Sequence, residues 1–316
     1  MVAYTKERYP DFQHLKATNR SIATDSGFGN LYEIFNKRYR DPRERIEAIL
    51  NRMQLSDLNE TIKLSEKSAT DVRSFNTLIT LLSRRAFQIK SVADKQKLKD
   101  LIYELIKSDP SVYEARDFAI SSGLIALSES NKVFVDRNNE KLKELSDDQI
   151  YQEFSQLRAN GSNTKIRIKK WLKENTAKFL TDEIVEDRFE DLQRNCVELE
   201  FLEGLSSDEL KFTEIQNFYA YENDEKSFST MHKTKGTGIP KVLVVLHEYG
   251  LKKDYDFLSC FSGNPPKEKR EVNARRLLYV ACSRAIHDLI CVRLVENAEE
   301  AQRIGAFFPK SHEIEL

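Results

Sequence analysis

Thr230-Met231-His232-Lys233-Thr234-Lys235-Gly236, with the apolar run 242–246 behind it, is the part of this chain from which its architecture is read outward. A basic loop ending in glycine and leading into a continuous apolar run predicts a buried strand entered from a turn. Residues 228–232 and 288–294 are predicted as two further strands. Between the last two strands lie the loop Gly263-Asn264-Pro265-Pro266 and a predicted helix from about residue 270 through Arg284. Strand, loop, helix, strand is the rhythm of an α/β lobe.

Size and composition bound the rest. The chain has 316 residues, beyond what one core usually serves, so two domains or one discontinuous large domain is the starting expectation. Hydrophobic residues make up 40% and charged residues 32%, a globular rather than disordered balance. With 50 basic against 51 acidic residues, nucleic-acid binding has to be argued from local clusters and not from the sum. Cys196, Cys260, Cys282 and Cys291 have neither metal-site spacing nor the pattern of a secreted framework. Lys6, Arg8 and Pro10 interrupt any signal core, and no run approaches the roughly 18 apolar residues of a membrane span. The expectation is a cytoplasmic protein with no membrane partner.

Ahead of the α/β segment, residues 12–17 are predicted as a short strand, and Asp25, Gly27 and Gly29 mark a loop. Leu31, Ile34 and Phe35 then recur at helical spacing. Asp41 as N-cap with Pro42 at the first helical position starts another helix, whose apolar face is Ile46, Ile49, Leu50 and Met53. Amphipathic helical pattern continues to about residue 205, through 75–89 and through positions 98, 101, 102, 105 and 106. Asp109-Pro110 is expected to open a helix, and Ser146, with Asp147 and Asp148 behind it, to open another that Gly161 ends.

The chemistry sits in two stretches. A hydroxyl, an imidazole, two ammoniums and a glycine at 230–236 can all meet phosphate oxygens, although a solvated basic turn has the same composition. In Arg275-Arg276-Leu277-Leu278-Tyr279-Val280-Ala281-Cys282-Ser283-Arg284-Ala285, the last arginine falls near a helix C-terminus. From there a guanidinium can stabilise phosphoryl charge across a lobe interface, or simply complement the helix dipole.

Together these stretches resemble motifs V and VI of UvrD/Rep-type superfamily one helicases, T-x-H-x-x-K-G-x-E before an apolar strand and R-R-L-x-Y-V-x-x-[ST]-R-A. Thr230, His232, Lys235 and Gly236 match the first; Arg275, Arg276, Leu277, Tyr279, Val280, Ser283, Arg284 and Ala285 match the second. Leu15-Lys16-Ala17-Thr18-Asn19-Arg20-Ser21 is similar to the L-x-x-N-Y-R-S of motif IV. A helix N-terminal region with a surface arginine would read the same way.

The resemblance implies an α/β, RecA-like (P-loop NTPase-type) lobe interrupted by a mostly α-helical insertion: residues 1–40 and 211–316 form the lobe and 41–210 the insertion. It also implies roles. Arg284 and Arg20 would be the catalytic arginines. Lys235, Gly236, Tyr279 and Arg284 would contact the nucleotide, and Thr230, His232 and Lys233 would couple it to DNA. The implied cofactor is ATP, with Mg2+ held by a partner lobe, and the implied partners are a P-loop-containing lobe or subunit and single-stranded or duplex DNA, in DNA repair or anti-phage defence. The alternative is a non-catalytic helicase-derived DNA-binding or regulatory module.

Three departures shape that expectation. Gly238 stands where the family has a glutamate, the ten glycines include no Gly-Lys dipeptide for a phosphate loop, and no D-E-x-Q follows an apolar strand. Glu248, behind the run 242–246, is therefore read as structural. In the helical block, Lys165, Arg167, Lys169, Lys170, Lys173 and Lys178 surround Trp171, a cluster suited to following a nucleic-acid backbone and stacking a base, or else a solvated helix face with its tryptophan turned inward. His14, His247, His287 and His312 form no metal set.

Overall fold

A computed structural model describes residues 5, 7–68, 70–85, 87–126, 128–147, 174, 182–223, 228–231, 236, 238–246, 248, 253–308 and 310–312. The chain divides into two compact units, Met1–Gly29 with Asn217–Leu316, and Asn30–Gln216. Residues 30–40 and 211–216 thus group with the helices.

The first unit opens with strand β1 (Gln13–Lys16) and helix α1 (Asn19–Ser26). Thr18 caps α1, its hydroxyl accepting the Ser21 N–H at 3.2 Å, and Gly27 ends the helix at φ 81°, a conformation that favours glycine.

The helical unit follows as α2 (Gly29–Arg38), α3 (Pro42–Arg52), α4 (Leu55–Lys67), α5 (Val72–Ser83), α6 (Val92–Ser108), α7 (Val112–Ser121), α8 (Glu129–Asp147) and α9 (Asp182–Ser206). Their buried stripes follow the 3.6-residue period: Leu31 and Phe35 in α2, Ile46 and Leu50 in α3, Leu58 and Ile62 in α4, and Leu98, Ile102 and Leu105 in α6. Asp41 is the N-cap of α3 and Pro42 its first residue, as the sequence predicts.

Two expected helix starts are corrected. Asp109 ends α6 in the left-handed conformation at φ 42°, and the next helix opens at Ser111, whose hydroxyl and the Glu114 carboxylate form a capping box. Aspartate serves both N-caps and left-handed turns, so Asp-Pro alone does not distinguish them. Ser146 and Asp147 lie inside the last turn of α8, where the Ser146 hydroxyl bonds back to the Leu142 carbonyl at 2.7 Å. Gly161 lies outside the described residues.

Helix α10 (Phe212–Glu222) returns the chain to the first unit, where β2 (Phe228–Thr230), β3 (Ile239–Val245), α11 (Lys269–Cys282), β4 (Ala285–Val292) and α12 (Ala298–Gly305) complete it. The four strands form one parallel sheet in the order β2-β1-β3-β4. The fold class is α/β. Central β3 reads as unbroken apolar sequence because Val242, Leu243 and Val244 are all fully buried, each worth about 1.5–3 kcal/mol relative to exposure. Leu15, Val242 and Val244 join Phe257, Ala274, Leu277 and Ala281 in one core, so α11 covers one face of the sheet. Strand β4 begins three residues before the predicted position of 288, and its residues 287–289 are exposed.

Candidate functional site

Parallel pairing gives the sheet a carboxyl edge and an amino edge, and the register assigns the candidate residues to them. Thr230 pairs with Lys16, and Leu15 with Val244, so the ends of β1, β2 and β3 lie together at the carboxyl edge. Arg20, exposed in the first turn of α1, follows directly from this edge. Ile239 pairs with Ala285, which sets Gly238 and Arg284 at the amino edge. The 7 residues of β3 separate the two edges, a span of about 20 Å. The fold therefore brings Arg284 to Gly238, and Thr230 to the start of α1, but does not bring Arg20 to Arg284.

Arg284 is held in place. Helix α11 starts on a capping box in which the Glu271 carboxylate accepts the Glu268 N–H at 3.4 Å; it also accepts the Lys267 N–H at 2.6 Å, and the two backbone bonds hold its pKa below the ordinary carboxylate value. The helix ends at Cys282, and the Arg284 N–H closes the turn on the Ala281 carbonyl. Arg284 Nε donates to the Val280 carbonyl at 2.9 Å and Nη2 to the Ser283 hydroxyl at 2.8 Å, while its own carbonyl accepts the Ile239 N–H at 2.8 Å. Among the described residues Nη1 has no hydrogen-bond partner, so a half-buried, oriented guanidinium keeps donors for an anion.

The same helix presents Arg276 and Tyr279 to solvent, with Tyr279 74% exposed, opposite buried Ala274, Leu277 and Ala281. Ser283 follows at the helix cap, also exposed. Arg275 is used differently, because it donates to the Asn264 carbonyl and ties α11 to the preceding loop. Gly236 is exposed at φ 88° with open space around it, and its freedom from a Cβ is used for backbone conformation. At Gly238 a Cβ would stand 2.9 Å from the tip of Ile286.

At the carboxyl edge, Glu248 is 7% exposed and fully engaged. It accepts the Phe257 N–H at 2.7 Å and the Arg293 guanidinium at 3.0 and 2.9 Å. Arg293 also donates to the Leu246 carbonyl at 3.0 Å, so Glu248 ties β3, the residues after β4 and the segment around Phe257 together.

One residue escaped the sequence reading: Lys16, 3% exposed at the end of β1 and ion-paired with Asp25 of α1. A strand lysine reads as solvent-facing, and only the packing of α1 over β1 reveals the pair. His232, Lys233, Lys235, Lys169, Lys170 and Trp171 lie outside the described residues. Among the described residues no group of His, Cys, Asp and Glu could hold a metal ion, and no helix is long and apolar enough to cross a membrane.

No family model, curated protein or solved structure matches the chain.

Proposed function

We propose that the strand-bearing unit is a RecA-like motor lobe of UvrD/Rep-helicase type, supplying Arg284 to an ATP site whose phosphate loop and Mg2+ belong to another lobe or subunit. The observation that carries this reading is the oriented guanidinium of Arg284, with Nη1 open and the backbone locked to Ile239 at the amino edge of the sheet. Catalysis of phosphoryl transfer is chiefly positioning and charge stabilisation, so an arginine fixed by its own helix end and offered from the lobe is the part such a chain can contribute. The residues fit a share in nucleotide binding and not a whole site, because no Gly-Lys phosphate loop is present. Tyr279 and Arg276, exposed on the same helix, suit contact with the nucleotide or with the lobe that carries it. Thr230, at the far edge, is buried, so on this reading it positions the loop that follows it and does not itself touch DNA.

A second reading rests on Gly238. Where the helicase family has a glutamate, the neighbouring Ile286 side chain takes the space, which favours a non-catalytic module that docks on DNA or regulates another ATPase.

Isolation of the chain from its source with its stable partners, followed by ATP turnover with and without single-stranded DNA, tests these readings. The motor reading expects a P-loop in the assembly and turnover stimulated by DNA. An assembly that lacks a P-loop, or one whose turnover is indifferent to Arg284→Ala, overturns it.

A further inference from the structure

The C-terminal end of α11 and the far half of β4 carry two cysteines that sequence spacing does not pair. Cys282 Sγ and Cys291 Sγ lie 4.0 Å apart, both half-buried and both packed against the same apolar core. Neither is in a disulfide. Arg284 lies in the segment that a bond between them would close.

We propose that Cys282 and Cys291 are a redox-active pair, oxidised reversibly by a low-molecular-weight disulfide of the glutathione class, and that closing the bond displaces Arg284. The regulatory part rests on the function proposed for Arg284; the thiol chemistry does not.

The exchange balances. The Cys282 thiolate attacks one sulfur of glutathione disulfide, forming a mixed disulfide and releasing one glutathione thiolate. Cys291 then loses its proton and attacks the Cys282 sulfur, which expels the second glutathione. The chain loses two electrons and two protons, and one glutathione disulfide becomes two glutathiones. The hydrogen bond between the sulfurs lowers the pKa of Cys282 and raises that of Cys291, which suits Cys282 as the attacking thiolate. Cys260, by contrast, is pushed up to about 11 by burial and bonds weakly to the Asp256 carbonyl at 4.0 Å, so it stays a bystander.

Bond formation draws the sulfurs about 2 Å closer, and the last turn of α11, where the Val280 carbonyl and Ser283 hydroxyl hold the Arg284 guanidinium, takes up part of that movement. On the function proposed for Arg284, a misplacement of about 1 Å there costs on the order of a hundredfold in rate.

The test equilibrates the wild-type chain and the variants Cys260→Ser, Cys282→Ser and Cys291→Ser in graded glutathione buffers, alkylates the remaining thiols and maps the peptides by mass. The expected result is a cross-link joining the peptides of Cys282 and Cys291, with loss of two hydrogens, in wild type and Cys260→Ser. Reductant reverses it, and the Cys282 and Cys291 variants do not form it. Absence of this cross-link at every ratio, or a cross-link to Cys260 instead, overturns the pair. In the P-loop-bearing assembly, oxidation is expected to lower ATP turnover about a hundredfold in wild type and not in Cys282→Ser, which lacks the attacking thiolate. A cross-linked wild type with unchanged turnover overturns the switch. If the reduced assembly shows no turnover, the motor reading falls and the switch with it, while the cross-link still decides the thiol chemistry.

Discussion

Glu248 and Arg284 are both charged residues next to strand ends, and their surroundings give them opposite roles. Glu248 spends its carboxylate on Phe257 and Arg293 inside the protein, at 2.7 to 3.0 Å. Glu248→Ala leaves a nearly buried guanidinium without its counter-ion, and denaturant unfolding is expected to show a loss of about 3–5 kcal/mol. A loss under about 1 kcal/mol would contradict the structural role. Arg284 spends only Nε and Nη2 on its own helix end, and its removal should leave the fold intact. Gly236 is a third case: at φ 88° an alanine is strained whatever the space, so Gly236→Ala is expected to lower stability by about 1 kcal/mol or more in the same unfolding assay. An unchanged midpoint would mean that the turn adapts freely.

At the scale of elements, the helices depend on caps that titrate. Asp94 accepts the Lys90 N–H at 2.9 Å and Glu114 the Ser111 N–H at 2.8 Å, and these backbone bonds hold both carboxyls below their ordinary pKa values. A group whose folded pKa is depressed contributes fully above its unfolded pKa, near 4 for such carboxyls, and that contribution is lost as pH falls through the folded value. Helicity of α6 and α7 should therefore weaken as pH drops from about 5 toward about 2, with less effect in Asp94→Asn and Glu114→Gln, followed by circular dichroism. An equal acid response in the two variants would contradict this. Ser91→Ala, which removes the other half of the α6 capping box, is expected to cost about 1 kcal/mol.

Elements were legible where a single physical signal dominated. The run 242–246 announced β3 because a strand covered on both faces has no polar alternation to confuse it, and Asp41-Pro42 announced α3. Legibility failed where one residue type serves two geometries, as at Asp109, or where an exposed strand mixes Ile286, His287, Asp288 and Leu289 without a period, as at the start of β4. The proximity of Cys282 to Cys291 and of Lys16 to Asp25 is a property of packing that spacing does not encode.

For the whole molecule, the sheet order β2-β1-β3-β4 matters more than any single element, because it sorts the candidate residues onto two edges. Which edge each residue occupies was invisible in the sequence, since it depends on strand direction and register. The consequence is a ranking: on the proposed reading Arg284 acts on nucleotide from the amino edge, whereas Arg20, at the carboxyl edge with Thr230, is a weaker candidate for the same phosphate. The central claim is tested most directly by single-turnover ATP hydrolysis in the P-loop-bearing assembly with wild type, Arg284→Ala, Arg284→Lys and Arg20→Ala. The account predicts a loss of about a thousandfold or more in Arg284→Ala, poor rescue by Arg284→Lys because an ammonium lacks the planar fork, and a much smaller loss in Arg20→Ala. Equal turnover in wild type and Arg284→Ala, with assembly intact, would contradict it.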